Sequence, residues 1–304
     1  MSQSTAAIHI ISGRPALDES YYNPDEEELA FFKSQTGITD EKALKDHIVR
    51  IQTDAYQVYP YPCIRRFAFM KLKISRLPAY SKLLRLGNER EGAIFLDIGC
   101  CFGNDVRKAI SSGYPMRNCI ASDLEPDFWK LGHRLFNTTP ETFPVPFIAG
   151  DAFNPEFLKP VPPFDSVPES PGPQLSRLTT LTPLLGHISA IHASSLFHLF
   201  DEVHQLQLAR SLAGLLSPQP GSLIFGMHGG RSEKGFRTEQ GAPGQTGTYM
   251  FCHSPESWEE LWDGEVFEKG TVQVEAELQE IERRDIKAAP GTKFYELVWS
   301  VTRV

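Results

Sequence analysis

Phe95-Leu96-Asp97-Ile98-Gly99-Cys100-Cys101-Phe102-Gly103 is an apolar run that ends in an acid and passes into a glycine-flanked turn. The residues that follow, Asn104–Ser111, read as a helix. Strand, tight turn and helix in that order set the free N–H groups of a helix N-terminus beside a backbone that a ligand can approach closely, because Gly99 and Gly103 have no side chain. A dinucleotide fold uses the same corner for a pyrophosphate. Asp97 in the turn would repel that group and attract a cationic amine. Cys101 also stands where the second glycine of G-x-G-x-x-G belongs, so nicotinamide oxidoreduction is the last of the alternatives.

Two more acids follow in the same setting. Ile120-Ala121-Ser122-Asp123-Leu124 places an acid just past the next strand, 26 residues after Asp97. A carboxylate there can accept hydrogen bonds from both hydroxyls of a ribose. Phe147-Ile148-Ala149-Gly150-Asp151-Ala152-Phe153 repeats the pattern after a third strand. Asp151 is placed to accept from an adenine amine, with Leu124 or Phe153 covering the ring. Each acid alone reads as a helix cap or a loop residue. Together, at three successive strand ends, they favour a ligand with a nucleoside and a free amine, and S-adenosylmethionine has both.

The surrounding pattern sets the architecture. Strand candidates Ala93–Ile98, Cys119–Ser122, Val145–Ala149, Ile188–His192 and Ser222–Met227 alternate with helices at Asn104–Ser111, Pro126–Phe136, Asp201–Leu215 and Pro255–Trp262. That predicts an α/β Rossmann-like fold, a parallel sheet with helices on both faces. Val272–Ile281 and Lys293–Val304, with turn residues Ala289-Pro290-Gly291, predict a terminal antiparallel hairpin. Pro160–Pro173 reads as an irregular loop and Gly229–Gly247 as a mobile one. Residues 1–91 read as an N-terminal helical cap on the domain at 92–304. Its helices start at Pro24 and Thr39, with Gly37 as a stop, and further helices run over Ile64–Leu72 and Ala79–Leu86.

With 304 residues, 41% hydrophobic and 22% charged, the chain has an ordinary globular composition. Its net charge of −8 argues against nucleic-acid binding. No apolar run is long enough to span a membrane, and Ala6–Ile11 lacks the basic start of a signal peptide. Five cysteines without metal-type spacing point to a reducing, cytoplasmic setting and to no metal. Cys100 and Cys101 read as two small residues packed in a tight turn.

The sequence resembles the class I S-adenosylmethionine-dependent methyltransferases over Gly92–Val304. Leu96-Asp97-Ile98-Gly99-Cys100-Cys101-Phe102-Gly103-Asn104-Asp105, Phe128-Trp129, Leu135-Phe136, the run from Ala193 to Phe200, the run from Glu256 to Trp262 and Tyr59-Pro60-Tyr61-Pro62-Cys63 narrow the resemblance. They are similar to the fungal methyltransferases of meroterpenoid pathways, the family of the austinol and terretonin carboxyl methyltransferases. Cys101 departs from the superfamily glycine and fits the narrower family. The resemblance implies a class I sheet of seven mostly parallel strands. It also implies that Asp97, Gly99 and Gly103 hold the methionine part of the cofactor, with Cys101 in the same turn, Asp123 the ribose, and Asp151 with Ala152 or Phe153 the adenine, whose ring Leu124 would help to cover. His192 to Phe197 would lie beside the transferred methyl, with S-adenosylhomocysteine as product.

A monomer or homodimer acting on a small apolar natural product is expected, with a methyl ester formed at a carboxylate. A phenol, hydroxyl, carbon or nitrogen acceptor, or a relative that does not methylate, is the alternative. Tyr56, Tyr59, Tyr61, Arg65 and Ser195 are the substrate-binding candidates. His192, His198 and His228 are the candidate catalytic residues, expected to position rather than to act as bases. A carboxylate is ionised at neutral pH and needs no base, and no acid can be seen in the sequence to orient any of the three.

Overall fold

Strand β1 (Ile94–Ile98) alternates its side chains between two buried faces, and the sheet grows from it in both directions. The computed structural model describes residues 15–239, 248–283, 285 and 291–304. Its other strands are β2 (Cys119–Asp123), β3 (Phe147–Ala149), β4 (Ile188–His192), β5 (Leu223–Gly230), β6 (Gly235–Glu239), β7 (Thr248–Cys252), β8 (Val272–Ile281) and β9 (Phe294–Arg303). Seven form one sheet in the order β3-β2-β1-β4-β5-β9-β8. β1 to β5 run parallel, and β9 enters antiparallel to β5 with β8 hairpinned outside it. The strand order reverses at β1, so the crevice past the ends of β1 and β4 is the topological switch point where such sheets bind ligands.

Helices α1 (Glu26–Thr36), α2 (Glu41–Val58), α3 (Pro62–Arg65), α4 (Lys73–Arg76) and α5 (Tyr80–Glu89) precede the sheet. Helices α6 (Asn104–Ser111), α7 (Pro126–Leu135), α8 (Glu202–Leu215) and α9 (Pro255–Trp262) connect its strands. Leu96, Ile98, Ile120, Ile191 and Ile224 face α8 and α9 in one core. Phe95, Ala121, Ala190 and Phe225 face α5 and α6 in the other. A third core joins Phe31, Phe32, Leu44, Ile48 and Ile51 of α1 and α2 to Phe128, Leu131 and Leu135 of α7. The N-terminal layer therefore sits on α7, and among the described residues the chain between α2 and α5 reaches the ligand edge of the sheet through the Lys73–Ser195 bond.

Several expectations change in detail. Pro24 is not the first residue of α1. Asp25 caps it, accepting from the Glu28 amide while Glu28 accepts from the Asp25 amide. Asp40, not Thr39, caps α2. The helix expected over Ile64–Leu72 is broken, because Phe67 adopts a left-handed conformation with φ 55°. Buried Gln52 closes α3, donating to the Ile64 and Arg65 carbonyls at 3.0 and 2.9 Å. The loop expected over Gly229–Gly247 is in part a strand: β5 runs on to Gly230, and Gly235–Glu239 pairs with Thr248–Cys252. Gln240 to Gly247, Ala6 to Ile11, Ala289 and Pro290 lie outside the described residues.

Candidate active site

Strand register brings the first pair together. In the parallel pairing of β1 with β4, Asp97 stands opposite His192. His192 Nδ1 donates to Asp97 Oδ1 at 2.8 Å, and Nε2 lies 2.7 Å from Ser194 Oγ. The Met227 amide also donates to Ser194 Oγ, at 3.2 Å. Asp97 is 2% exposed and His192 1%. Burial alone would lower the His192 pKa, but the Asp97 hydrogen bond and the Asp105 and Asp97 charges together raise it above the ordinary histidine value. So the orienting acid that cannot be seen in the sequence is Asp97 itself. Its place in the glycine turn points to the cofactor, and its second role follows from a β1–β4 adjacency that spans 95 residues of chain.

Asp97 Oδ2 is buried and has no hydrogen-bond partner among the described residues. An orphaned carboxylate oxygen in a polar turn fits a ligand ammonium. Around it the backbone is tightly turned. Gly99 and Gly103 have φ of 71° and 74°, and Cys101 shares their left-handed conformation with φ 49°. A Cβ on Gly103 would sit 2.5 Å from the Trp129 ring, so this glycine is required by packing as well as by conformation. Leu196 covers Gly99.

Asp123 backs the turn. Its Oδ2 accepts from the Cys101 amide at 2.8 Å and its Oδ1 from the Glu125 amide at 3.1 Å. Each oxygen has a second lone pair, so both can still accept from a ligand. Burial raises its pKa to about 6. Next to it Leu124 is 55% exposed, an apolar side chain with an open face. Asp151 Oδ1 accepts from the Phe153 amide at 2.9 Å, and the Phe153 ring packs edge-on against Phe200. Ala152 is half-buried beside them.

The remaining candidates divide. Ser195 lies at the edge, with φ 55° and its amide bonded to the Met227 carbonyl at 2.6 Å. Tyr61 packs on Tyr59 and Phe128, close enough to Asp123 that the carboxylate adds to burial in raising its hydroxyl pKa. Tyr56 and Arg65 are turned away from the edge: the Tyr56 hydroxyl donates to the Pro15 carbonyl, and Arg65 Nε to that of Ala16. His228 is also turned away, buried against Phe197 and Trp258 with Nδ1 accepting from Trp299 Nε1 at 3.0 Å. Burial lowers its pKa to about 3, so it stays neutral. His198 Nδ1 accepts from the Gly229 amide at 2.9 Å.

One residue escapes the sequence reading. Lys73, in α4, donates to Ser195 Oγ at 2.8 Å across 122 residues of chain. It falls between the helices predicted over Ile64–Leu72 and Ala79–Leu86, and the basic run Lys71-Leu72-Lys73-Ile74-Ser75-Arg76 does not single it out.

Comparison with known proteins bears on this arrangement. The family described as meroterpenoid methyltransferase N-terminal domain matches residues 18–70. O-methyltransferase phiE of a fungal species (strain ATCC 74256) is 32% identical over 246 residues, which are 80% of this chain and 72% of the relative. Asnovolin E/Chermesin D methyltransferase nvfJ of Aspergillus novofumigatus is 32% identical over 222 residues, 73% of this chain and 69% of the relative. Among solved structures, a Burkholderia thailandensis 1,6-didemethyltoxoflavin-N1-methyltransferase overlaps 84% of this chain and 87% of its own at TM-score 0.44 and 16% identity, too loosely to carry an argument. With the sheet order, the acidic strand ends and these relatives in agreement, the chain belongs to the fungal meroterpenoid family of S-adenosylmethionine-dependent methyltransferases.

Proposed function

We propose that this enzyme is an O-methyltransferase that forms a methyl ester at the carboxylate of a small, largely apolar natural product. The observation that carries the reading is that the histidine at the switch point spends both ring nitrogens inside the protein, on Asp97 and Ser194. A base must meet the proton it removes within hydrogen-bond distance. His192 is buried with both nitrogens already bonded, His228 is sealed in an aromatic cage, and His198 Nδ1 is occupied by the Gly229 amide. An acceptor already ionised at neutral pH suits such a site, and a carboxylate is one.

S-adenosylmethionine supplies an electrophilic methyl group on a sulfonium. Bound here, it would give that methyl to an acceptor carboxylate oxygen and leave as S-adenosylhomocysteine, with no proton for the chain to move. The chain's part is binding, alignment and exclusion of water. Asp97 Oδ2 would take the ammonium of the cofactor and Asp123 its ribose hydroxyls. Asp151 and the Ala152–Phe153 backbone would take the adenine, with Leu124 against the ring. The segment from Tyr59 to Lys73 would act as the cap over this edge, supported by Tyr61 beside Asp123 and by the Lys73–Ser195 bond.

The rival reading, a phenol or alcohol acceptor, has one observation in its favour. Asp97, His192 and Ser194 form a hydrogen-bonded chain that would relay a proton if Ser194 met the acceptor. Two measurements separate the readings. Product formed with methyl-labelled S-adenosylmethionine should lose its label as methanol on saponification. At saturating cofactor, kcat should stay flat from about pH 6.5 to 8, and His192→Gln should cost no more than about 100-fold. An alkali-stable product, or a rate that climbs with pH and loses its slope in His192→Gln, would establish the rival.

A further inference from the structure

We infer that Lys73 is the anchor for the acceptor's carboxylate. Its neighbours in the chain are already committed. Lys71 Nζ lies 2.8 Å from Glu28 Oε2 and Arg76 Nη2 lies 2.9 Å from Glu28 Oε1, so the cations on either side of Lys73 hold the buried acid of α1. Lys73 turns the other way. Among the described residues no carboxylate lies within 4 Å of its ammonium, and its side-chain partner is the neutral Ser195 hydroxyl. Asp105, which is in electrostatic reach, spends Oδ1 on the Ile74 amide, a bond that also fixes where α4 begins.

The position matters as much as the missing counter-charge. Ser195 follows Ser194, which bonds His192, and precedes Leu196, which lies on Gly99. Lys73 is thereby held at the β1–β4 crevice, beside the turn proposed to hold the methyl donor. The His192 imidazole also lies in its field, already held by Asp97 and Ser194. The Cys63 and Cys101 thiols lie in its field, and burial raises both their pKa values, so they remain uncharged. An ammonium half-withdrawn from water and bonded to a single hydroxyl keeps two donor hydrogens for a ligand. A carboxylate can accept from it with one oxygen and present the other to the methyl group. A neutral phenol or alcohol gives no charge complement there. Ser195, strained in the left-handed region, completes the clamp because its hydroxyl aims the ammonium.

The inference rests on the ester-forming reading, and one experiment tests the two separately. Wild type, Lys73→Met and Lys73→Arg are assayed for S-adenosylhomocysteine formation with abietic acid, biphenyl-4-carboxylic acid and 2,4-dihydroxybenzoic acid, each beside its primary alcohol. S-adenosylhomocysteine affinity is measured by calorimetry for all three proteins. Expected results are transfer to acids, a KM for acids raised about 10- to 100-fold in Lys73→Met, most of that loss restored in Lys73→Arg, and S-adenosylhomocysteine affinity within about twofold throughout. Transfer to acids with an unchanged KM in Lys73→Met overturns the assignment of Lys73 and leaves ester formation standing. A parallel loss of S-adenosylhomocysteine affinity overturns it too, since Lys73 would then be shaping the cofactor turn. Transfer by wild type to the phenolic hydroxyl or the alcohols alone overturns both.

Discussion

His192 and Asp97 are buried together, and that makes their ionisation a matter of stability as well as of binding. The folded-state pKa of His192 lies above its unfolded value. Its stabilising contribution is therefore fully present below about pH 6.5 and is lost as pH rises through the folded value. His192→Gln removes that term. The difference in urea midpoint between wild type and variant should be largest near pH 6 and shrink toward pH 9. A difference that does not vary with pH would mean that the pair does not titrate as described. Asp123 has the opposite consequence. Its pKa of about 6 means that acidification protonates the carboxylate proposed to accept from the ribose, so S-adenosylhomocysteine affinity should fall below about pH 6. Asp123→Ala should cost roughly 2–4 kcal/mol of that affinity at neutral pH. Equal affinity in a calorimetric titration would remove Asp123 from the site.

Elements show why some of this is legible in advance and some is not. β4, α6, α9 and β8 end where the sequence pattern ends them, because apolar periodicity, glycine turns and caps are local signals. Each strand-end acid is announced by its own apolar strand. The fragments between α2 and α5 are not announced. Nothing in Phe67 signals a left-handed backbone, and nothing in Lys73 signals a serine 122 residues away. The Asp97–His192 pair is invisible for the same reason: register between β1 and β4 is a tertiary fact. Tyr56 and Arg65 are attractive as substrate contacts because aromatic and cationic residues crowd there, yet they bind the Pro15–Ala16 backbone. A tight element contact gives a further test. A Cβ on Gly132 would sit 2.2 Å from the Phe102 carbonyl oxygen, where α7 crosses the glycine turn. Neither backbone can yield cheaply. Gly132→Ala should lower stability by about 1–3 kcal/mol and weaken S-adenosylhomocysteine binding with it, since the turn must shift. Denaturation and calorimetry on the same sample check both.

At the scale of the whole molecule, the N-terminal layer shares one of the three cores with α7. A chain beginning at Gly92 would expose Phe102, Phe128, Leu131, Leu135 and Phe136 at once. It should bind hydrophobic dyes, associate in solution and turn over no acceptor, even where far-UV dichroism reports a folded sheet. A monomeric, active truncated protein would show that the layer is a separate accessory.

That shared core also has an order in time. Phe31, Phe32, Ile48 and Ile51 leave the ribosome well before the α7 residues they pack against. At roughly 5–20 residues per second, the stretch between Val58 and Leu135 takes on the order of 4–16 s to synthesise. For those seconds α1 and α2 lack the α7 residues they pack against, and their apolar side chains are open to any holdase at the tunnel exit. Slow codons placed between α2 and α7 should lengthen that interval and lower the soluble yield, whereas the same codons after α7 should leave it unchanged.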